Sequence, residues 1–274
     1  MQHALALVLL LIPYLALARE LKKRATLKVS YFSGPIIQQV QVFPVYYGQV
    51  TNQPLLDQFY QFVVKSSVMD VLGKEYSWPP TNQFISHGSW IGSYIDANVS
   101  SATALDDRTN VQPYLKGLIA QGLINVTLNT YIPVHFAPAI KITHLKTTTC
   151  VDVCGYHDTL DIRDLGIPGV SYVAYGIIPD LSTDACAQGC GSASEFENTC
   201  VTATHELTEA VTNPLFGLAT GGRWPLAWYS TNGVVGEIGD ICQNVVTTLK
   251  DEWRNTTWMV QTVWSNSEQK VTFL

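Results

Sequence analysis

The sequence predicts an α/β or α+β fold in a single domain built on a mixed sheet. Helix-like and strand-like hydrophobic patterns alternate along the whole chain, which favours one mixed domain over separate helical and sheet regions. The 274 residues are 47% hydrophobic and only 14% charged, which is enough apolar surface for one large core. No linker-like segment divides the chain, so residues 25–274 are expected to form this domain.

The first residues carry the pattern of a secretory signal peptide, expected at residues 1–18. A short apolar run at Ala4–Ile12 precedes the small-x-small cleavage pattern Ala16-Leu17-Ala18. The run is too short to span a bilayer. Residues 19–24 contain Lys22-Lys23-Arg24, which is either a processing site that makes this segment a propeptide or a charged, exposed start.

The composition indicates which kinds of binding partner and which compartment to expect. The net charge is −6 without a basic stripe, which argues against nucleic acid. No second apolar run reaches transmembrane length, so stable membrane insertion is not expected. An even number of cysteines and the glycosylation sequons at Asn98, Asn125 and Asn255 fit a secreted, disulfide-bonded glycoprotein. The sequence leaves the oligomeric state open.

In chain order, alternating residues predict strands over 27–32 and 36–47, joined by Ser33-Gly34-Pro35. Apolar residues near helical period predict a helix over 55–72. The glycine- and serine-rich stretch 83–110 is expected to be irregular. The later predicted elements are a short helix at 113–121, strands at 126–136, 140–145 and 170–178, a cysteine-containing loop at 179–198, an acidic helix that follows it, and a terminal hairpin from 258–264 and 271–274.

The acidic helix carries the sequence His205-Glu206-Leu207-Thr208-Glu209 and is stopped at Asn213-Pro214. Residues four apart lie on one helix face, so His205 and Glu209 can ligate one metal ion, as the two histidines of H-E-x-x-H helices do. Glu206 then holds the position of the general base. The alternative is that these side chains form the solvated face of an amphipathic helix.

A second acidic cluster favours the metal site over that alternative. Glu237 and Asp240 lie between glycines in Gly236-Glu237-Ile238-Gly239-Asp240, and they are the best candidates for a further metal ligand. Because Glu209 replaces the second histidine of the zincin pattern, a carboxylate oxygen takes the place of an imidazole nitrogen. Oxygen is the harder ligand of the two. Zinc is the expected cofactor, and calcium or manganese becomes more plausible than in a standard zincin.

The cysteines allow 15 disulfide pairings, among which sequence alone cannot choose. We expect two local bridges, Cys150–Cys154 and Cys186–Cys190. A third bridge, Cys200–Cys242, would join the acidic helix to the second acidic cluster. A zinc site made of thiolates is less favoured, because C-x3-C differs from the usual C-x2-C knuckle.

Several short blocks resemble motifs of the phosphate-induced protein 1 / EXORDIUM family. Residues 31–35 with VQVFPVYYG resemble its opening motif, and Cys154-Gly155-Tyr156-His157-Asp158 resembles its C-G-Y-H segment. The E-L-T-E…T-N-P and E-I-G-D-I-C blocks resemble its pair of acidic motifs. The H-E-x-x-E helix is similar to that of microbial members, such as fungal ones. The resemblance implies an extracellular protein, but the glycine-rich C-terminus of plant members is missing, so their physiology is not carried over.

The resemblance also draws attention to His157 as a second catalytic residue beside Glu206, with a structural histidine in a turn as the alternative. We therefore expect a secreted, zincin-like metalloprotease in which zinc is held by His205 and Glu209 with Glu237 or Asp240. Its substrate would be a polypeptide or a cell-wall component.

Two other functions stay open at this point. One is a non-catalytic, EXORDIUM-like cell-wall or surface protein with a structural calcium site. The other is a carbohydrate-active protein that uses Glu206 and Glu237 as a carboxylate pair.

Overall fold

The computed structural model describes residues 27–99, 103–182, 184–218, 225–231 and 236–272. The predicted signal peptide at 1–18 and propeptide at 19–24 lie outside these residues. Helices and strands alternate along the described chain, and the largest of its sheets is mixed, which confirms the predicted α/β or α+β class. Among the described helices, none is both long and apolar enough to cross a membrane.

The described α-helices are α1 (Gln53–Val63), α2 (Ser67–Tyr76), α3 (Gln112–Ala120), α4 (Asp184–Gly189) and α5 (Glu195–Thr212). The strands are β1 (Val29–Tyr31), β2 (Gln41–Val42), β3 (Val45–Tyr47), β4 (Ser89–Trp90), β5 (Tyr94–Asp96), β6 (Ala104–Asp106), β7 (Thr130–Phe136), β8 (Lys141–His144), β9 (Thr147–Thr148), β10 (Tyr156–Asp161), β11 (Tyr172–Ile178), β12 (Trp228–Ser230), β13 (Val246–Asp251), β14 (Thr256–Gln261), β15 (Val263–Ser265) and β16 (Lys270–Thr272). Short helical turns lie at Pro79–Thr81, Asp107–Val111, Arg163–Leu165, Phe216–Leu218 and Asp240–Cys242.

A seven-stranded sheet forms the centre of the molecule, with β7 in its middle. Strand β7 pairs in parallel with β11 on one side and with β2 and β3 on the other. Strands β4 and β5 extend the parallel part, and β10 forms the opposite edge, antiparallel to β11. The pairing is therefore mixed, as expected.

Successive residues of β7 point to opposite faces of the sheet, and the two faces belong to two separate cores. Tyr131 packs in a core that also contains residues of α1, α2 and α5, such as Leu207. Its neighbour Ile132, together with Val134, packs in a core that contains Leu115 of α3. The sheet thus lies between two helical layers, and α5 belongs to the layer on the α1–α2 side.

Helix α5 is enclosed on several sides, because it packs on β10, β11 and the hairpin strand β14. It begins with a capping box between Ser194 and Glu197, and it ends directly before Asn213-Pro214, as predicted. Four of its buried threonines donate to carbonyls within the helix. For example, the Thr204 hydroxyl donates to the Cys200 carbonyl, and the Thr212 hydroxyl donates to the Thr208 carbonyl. A largely polar helix can therefore be buried.

Several predicted elements differ in the structure. The stretch 83–110, expected to be irregular, contains β4, β5 and β6, and the loop expected at 179–198 contains α4 and the start of α5. The single helix expected over 55–72 is two helices, because Ser66 adopts an extended backbone and its side chain caps α2 by accepting from the Val68 N–H. The strands expected at 27–32 and 36–47 do not pair with each other: β1 pairs with the distant β12, while β2 and β3 join β7. Hydrophobic alternation predicts strands, but it does not identify their partners.

The disulfide pairing predicted from spacing is wrong. The bonds are Cys150–Cys186 and Cys154–Cys190, with Cα–Cα distances of 4.6 and 5.5 Å. Cys186 and Cys190 are one helical turn apart, so they face the same side and meet the second pair of cysteines, which has the same spacing. Cys200 and Cys242 are free, buried thiols rather than the expected bridge. The loop that precedes β10 is thus tied to α4.

This pairing predicts the outcome of peptide mapping. Under non-reducing conditions we expect linked peptides for Cys150–Cys186 and Cys154–Cys190, and two reactive thiols per denatured, unreduced chain. Each bridge spans 36 residues, for which the chain-entropy model gives about 4 kcal/mol. Because both bridges close nearly the same loop, C154S/C190S should lower the free energy of unfolding by less than that. A Cys200–Cys242 cross-link in the map would contradict this structure.

Candidate metal centre

Three segments form the candidate metal centre: α5, the edge strand β10 and the turn that begins at Gly236. Contacts between α5 and β10 join the first two segments. The third is attached by backbone hydrogen bonds, because the N–H groups of Gly239 and Asp240 donate to Glu209 Oε1 at 3.1 and 3.0 Å. The two acidic clusters of the sequence therefore meet without a covalent bridge.

The first set of side chains, here called the rim set, is His205, Glu209 and Asp240. The Nε2 atom of His205 lies 3.2 Å from Glu209 Oε1 and 3.7 Å from Asp240 Oδ1. The side chains of His205 and Asp240 are 16% and 48% exposed, so solvent reaches this set.

A glutamine of β14 fixes the imidazole of His205. The Gln261 amide nitrogen donates to the Gly239 carbonyl at 2.9 Å, which leaves its Oε1 to accept from His205 Nδ1 at 3.1 Å. With Nδ1 as the donor, a neutral ring has its Nε2 lone pair on the side of the two carboxylates, whereas a protonated ring donates Nε2–H to them. Metal-binding histidines are commonly oriented by this kind of hydrogen bond to the second ring nitrogen.

The second set, here called the buried set, surrounds His157, whose side chain is 2% exposed. Its Nδ1 lies 3.5 Å from Glu209 Oε2 and 3.7 Å from Glu206 Oε2, and its Nε2 lies 3.6 Å from Glu237 Oε1. The Nε2 atom is buried and has no hydrogen-bond partner among the residues that the structure describes. Glu237 Oε1 accepts a hydrogen bond from the Asn213 side-chain amide at 2.7 Å.

All six residues expected from the sequence lie in this one cluster: His157, His205, Glu206, Glu209, Glu237 and Asp240. Glu206 lies on the buried side, against His157 and Gly155, whereas Asp240 lies at the rim. Sequence reasoning missed Gln261 and assigned Asn213 only to the end of the helix. Neither residue carries a local pattern, because each reaches the site through long-range packing.

Three carboxyl groups of the cluster are buried, because Glu206, Glu209 and Glu237 are only 3–4% exposed. Their burial changes their pKa values. Burial raises the pKa of Glu206 and, well above its usual range, that of Glu237. Burial would also raise the pKa of Glu209, but the neighbouring imidazoles outweigh it and lower this pKa.

The pKa values of the two histidines shift in the direction that favours the positively charged ring. Burial opposes protonation of His157 and His205, but the surrounding carboxylates outweigh it and raise both pKa values well above the usual value. Buried carboxylates need a compensating positive charge. A divalent cation, protonated imidazoles and protonation of Glu206 or Glu237, whose pKa values burial raises, are the ways in which this cluster can be balanced.

Three groups of described residues can hold a metal ion, with one ligand atom per residue and all such atoms within 4.8 Å of one another. Two are the rim set and the triad His157, Glu209 and Glu237 of the buried set, which share Glu209. The third group is separate and consists of Asp107, His144 and Asp158.

Comparisons of the chain with protein-family models, with curated proteins and with solved structures find no match. The chemistry of the site is therefore inferred from its own residues.

The close packing at Gly239 yields a testable consequence. A Cβ atom there would lie 2.7 Å from Glu209 Oε1 and 2.9 Å from His205 Nδ1, although the backbone φ of −75° suits any residue. We expect Gly239→Ala to displace both side chains and to weaken metal binding by about 10–100-fold, as loss of supporting contacts does. Calorimetric titration with Zn²⁺ measures this loss.

Gly117→Ala is the matched control, because its added Cβ would approach nothing closer than Gln121 Nε2 at 3.9 Å. Its metal affinity should equal that of the wild type. Unchanged affinity in Gly239→Ala would show that the packing around Glu209 and His205 does not position metal ligands.

Proposed function

We propose that the protein is a secreted, zinc-dependent hydrolase of the zincin type that acts on polypeptides, with the ion held by the rim set. The observation that carries the proposal is the spacing of these ligand atoms. Zinc–ligand bonds of about 2.0–2.2 Å in a tetrahedron place the ligand atoms roughly 3.3–3.6 Å apart. The spacings of 3.2 and 3.7 Å around His205 Nε2 lie close to that range.

The chemistry of the donor set favours zinc over calcium. Calcium prefers six to eight oxygen ligands, whereas the rim set offers an imidazole nitrogen beside two carboxylates. Three protein ligands are typical of catalytic zinc sites, which keep a further position open. The exposed Asp240 supports access to that position. The triad around His157 is enclosed, so it fits a structural role better than a catalytic one.

Glu206 is the candidate general base. When bound, zinc would polarise the scissile carbonyl and acidify a water molecule. Glu206 directly follows His205 in the helix and belongs to neither of the two triads that share Glu209, so we assign its carboxylate as the proton acceptor. His157 lies 3.7 Å from it and would hold and orient that carboxylate.

An aromatic wall beside the site supports a substrate with bulky apolar side chains. Phe216 is 37% exposed, and its ring lies 5.7 Å from the His157 ring and stacks on Tyr229 at 6.1 Å. Trp228, by contrast, is buried in the core. Exposed aromatic rings beside a polar centre are typical of binding sites for apolar groups.

Secretion is part of the proposal. The signal-peptide pattern at residues 1–18 and the two disulfide bonds support an oxidising compartment. The sequon residues Asn98, Asn125 and Asn255 are all exposed, as acceptors of N-glycans must be. The resemblance to the extracellular EXORDIUM family supports the same location.

Metal analysis beside a peptidase assay tests this function. We expect stoichiometric zinc in the purified protein, together with peptide hydrolysis that a chelator removes and added Zn²⁺ restores. Bound calcium without hydrolysis would replace the proposal with a structural protein of the cell wall or surface. Hydrolysis of glycosides that survives chelation would instead favour the Glu206–Glu237 carboxylate pair.

A further inference from the structure

The hairpin of β13 and β14 ends in an exposed tryptophan. Trp253 lies in the loop 252–255 between the two strands, and it is 83% exposed. A single exposed aromatic side chain is common on a protein surface, so its surroundings decide whether it has a role. Here they include a fixed guanidinium group and the glycosylation sequon Asn255-Thr256-Thr257. The loop contributes no residue to the candidate metal centre.

Arg254 holds the tryptophan in place. Its guanidinium carbon lies 4.4 Å from the centre of the Trp253 ring, which is a cation–π contact. The guanidinium is itself fixed, because Nη1 donates to the buried carboxylate of Asp251 at 2.9 Å and Nη2 donates to Gln61 of α1. It covers one face of the indole, while the high exposure of Trp253 leaves the other face in solvent. A ring held in this way can receive a ligand with little further loss of side-chain freedom.

The acceptor asparagine lies on the same side of the hairpin as Trp253. Trp253, Asn255 and Thr257 are exposed, whereas Arg254 and Thr256 between them are partly buried. This alternation puts the indole and both recognised side chains of the sequon on one outer edge of the hairpin. Two residues of chain span at most ~7 Å, so a sugar attached to Asn255 begins beside the indole.

The amide of Asn255 is oriented with its nitrogen free. An ammonium group only donates, so the 2.7 Å hydrogen bond from Lys250 Nζ identifies Oδ1 as its acceptor. Nδ2 has no hydrogen-bond partner among the residues that the structure describes. The backbone of Asn255 is left-handed, with a φ of 52°, which asparagine tolerates well. That conformation explains an asparagine in this turn, but it does not require Thr257 two residues later.

We propose that Asn255 carries an N-linked glycan whose first sugar, N-acetylglucosamine, packs on the free face of Trp253. The proposal rests on secretion, which is part of the proposed function. In the transfer, Asn255 Nδ2 loses one proton to solvent and forms a bond to C1 of the sugar. The bond from C1 to the diphosphate of a lipid-linked oligosaccharide breaks, and the lipid diphosphate leaves with the electron pair. A eukaryotic secretory compartment supplies that donor.

The indole and the sugar are chemically complementary. The face of an aromatic ring carries partial negative charge, and the C–H groups on one face of the sugar carry partial positive charge. The sugar also covers apolar surface that Trp253 exposes to water. The other two sequons have no such ring at this spacing, because Leu123 precedes Asn125 by two residues and Asp96 precedes Asn98 by two residues. Asn125 is therefore the matched site for comparison.

Secretion of the full chain from a eukaryotic host, with peptide mapping and thermal unfolding, tests the proposal. We expect a glycan on Asn255 and a Tm about 2–4 °C lower in Thr257→Val, which removes the sequon but keeps Asn255 and a β-branched strand residue. Trp253→Ala should lower Tm by a similar amount, and the double variant by no more than either change alone, because both remove the same contact. Trp253→Phe keeps an aromatic face and should retain most of the effect. Asn125→Gln is the control, and its effect on Tm should not depend on Trp253.

An unmodified Asn255 would overturn the proposal, whether or not Asn98 and Asn125 are glycosylated. An unchanged Tm in Thr257→Val would also overturn it, as would additive losses in the double variant, because the glycan and the indole would then act separately. Retention in the cell without any glycan would contradict secretion as well, whereas a bare Asn255 in a secreted protein with glycans elsewhere contradicts this proposal alone. Zinc content and peptide hydrolysis should be the same in Thr257→Val as in the wild type, so the hydrolase is tested separately.

Discussion

Glu206→Gln is expected to lower peptide hydrolysis by about 10²–10⁴-fold while the protein keeps its fold and its zinc. Loss of a positioned general base typically has this effect. Glutamine has nearly the size of glutamate but cannot accept the proton, and Glu206 is not one of the rim ligands. Steady-state kinetics and zinc content of the same preparations measure the two quantities together.

Glu252→Gln is the matched control, because Glu252 is exposed and lies in the loop between β13 and β14, outside the cluster. It should keep both the activity and the zinc of the wild type. Full activity in Glu206→Gln would remove Glu206 from the reaction. Loss of zinc in that variant would instead make Glu206 a ligand.

His205→Ala is expected to remove zinc from the rim set and hydrolysis with it. The imidazole supplies the only nitrogen of that set, so we expect a loss of affinity beyond the ~10–100-fold caused by mutation of supporting residues. The variant should also gain less thermal stability from added Zn²⁺. A ligand at 100 times its Kd stabilises the native state by about 2.7 kcal/mol.

Calorimetric titration and thermal unfolding with and without Zn²⁺ measure these effects, and His87→Ala serves as the surface control. The His87 side chain is 49% exposed and pairs with Asp70 outside the metal centre, so its loss should change neither quantity. Undiminished peptide hydrolysis in His205→Ala would remove the rim set from the chemistry.

The parts of the site that the sequence predicted are those with a local pattern. The spacing of His205 and Glu209 places both on one side of a helix, and Asn213-Pro214 marks its end. Glu237 and Asp240 were identifiable because glycines surround them. The strands predicted at 126–136 and 170–178 are likewise present, at 130–136 and 172–178.

The parts that were not predicted depend on the packing of distant segments. Gln261 is 56 residues from His205 and reaches it only because the hairpin strand β14 packs on α5. The disulfide pairs depend on how α4 meets the loop before β10, which spacing cannot show. The group around His144 joins three separate segments, so no motif marks it in the sequence.

The binding of an ion at the rim set is the central claim about this molecule, because it decides how the negative charge of the buried carboxylates is compensated. Without a cation, protonation of His157 and His205 compensates the buried carboxylates, together with protonation of Glu206 and Glu237, whose pKa values burial raises. With a cation, both imidazoles can be neutral ligands or neighbours. The two states differ in what lies between His205 Nε2 and the carboxylates of Glu209 and Asp240.

Anomalous diffraction at the zinc edge, from crystals grown with Zn²⁺, tests this most directly. The proposed site predicts a strong peak within about 2.0–2.2 Å of His205 Nε2 and of one oxygen each of Glu209 and Asp240. Saturating Zn²⁺ with no peak at these residues, and with His205 instead hydrogen-bonded to the carboxylates as an imidazolium, would contradict it.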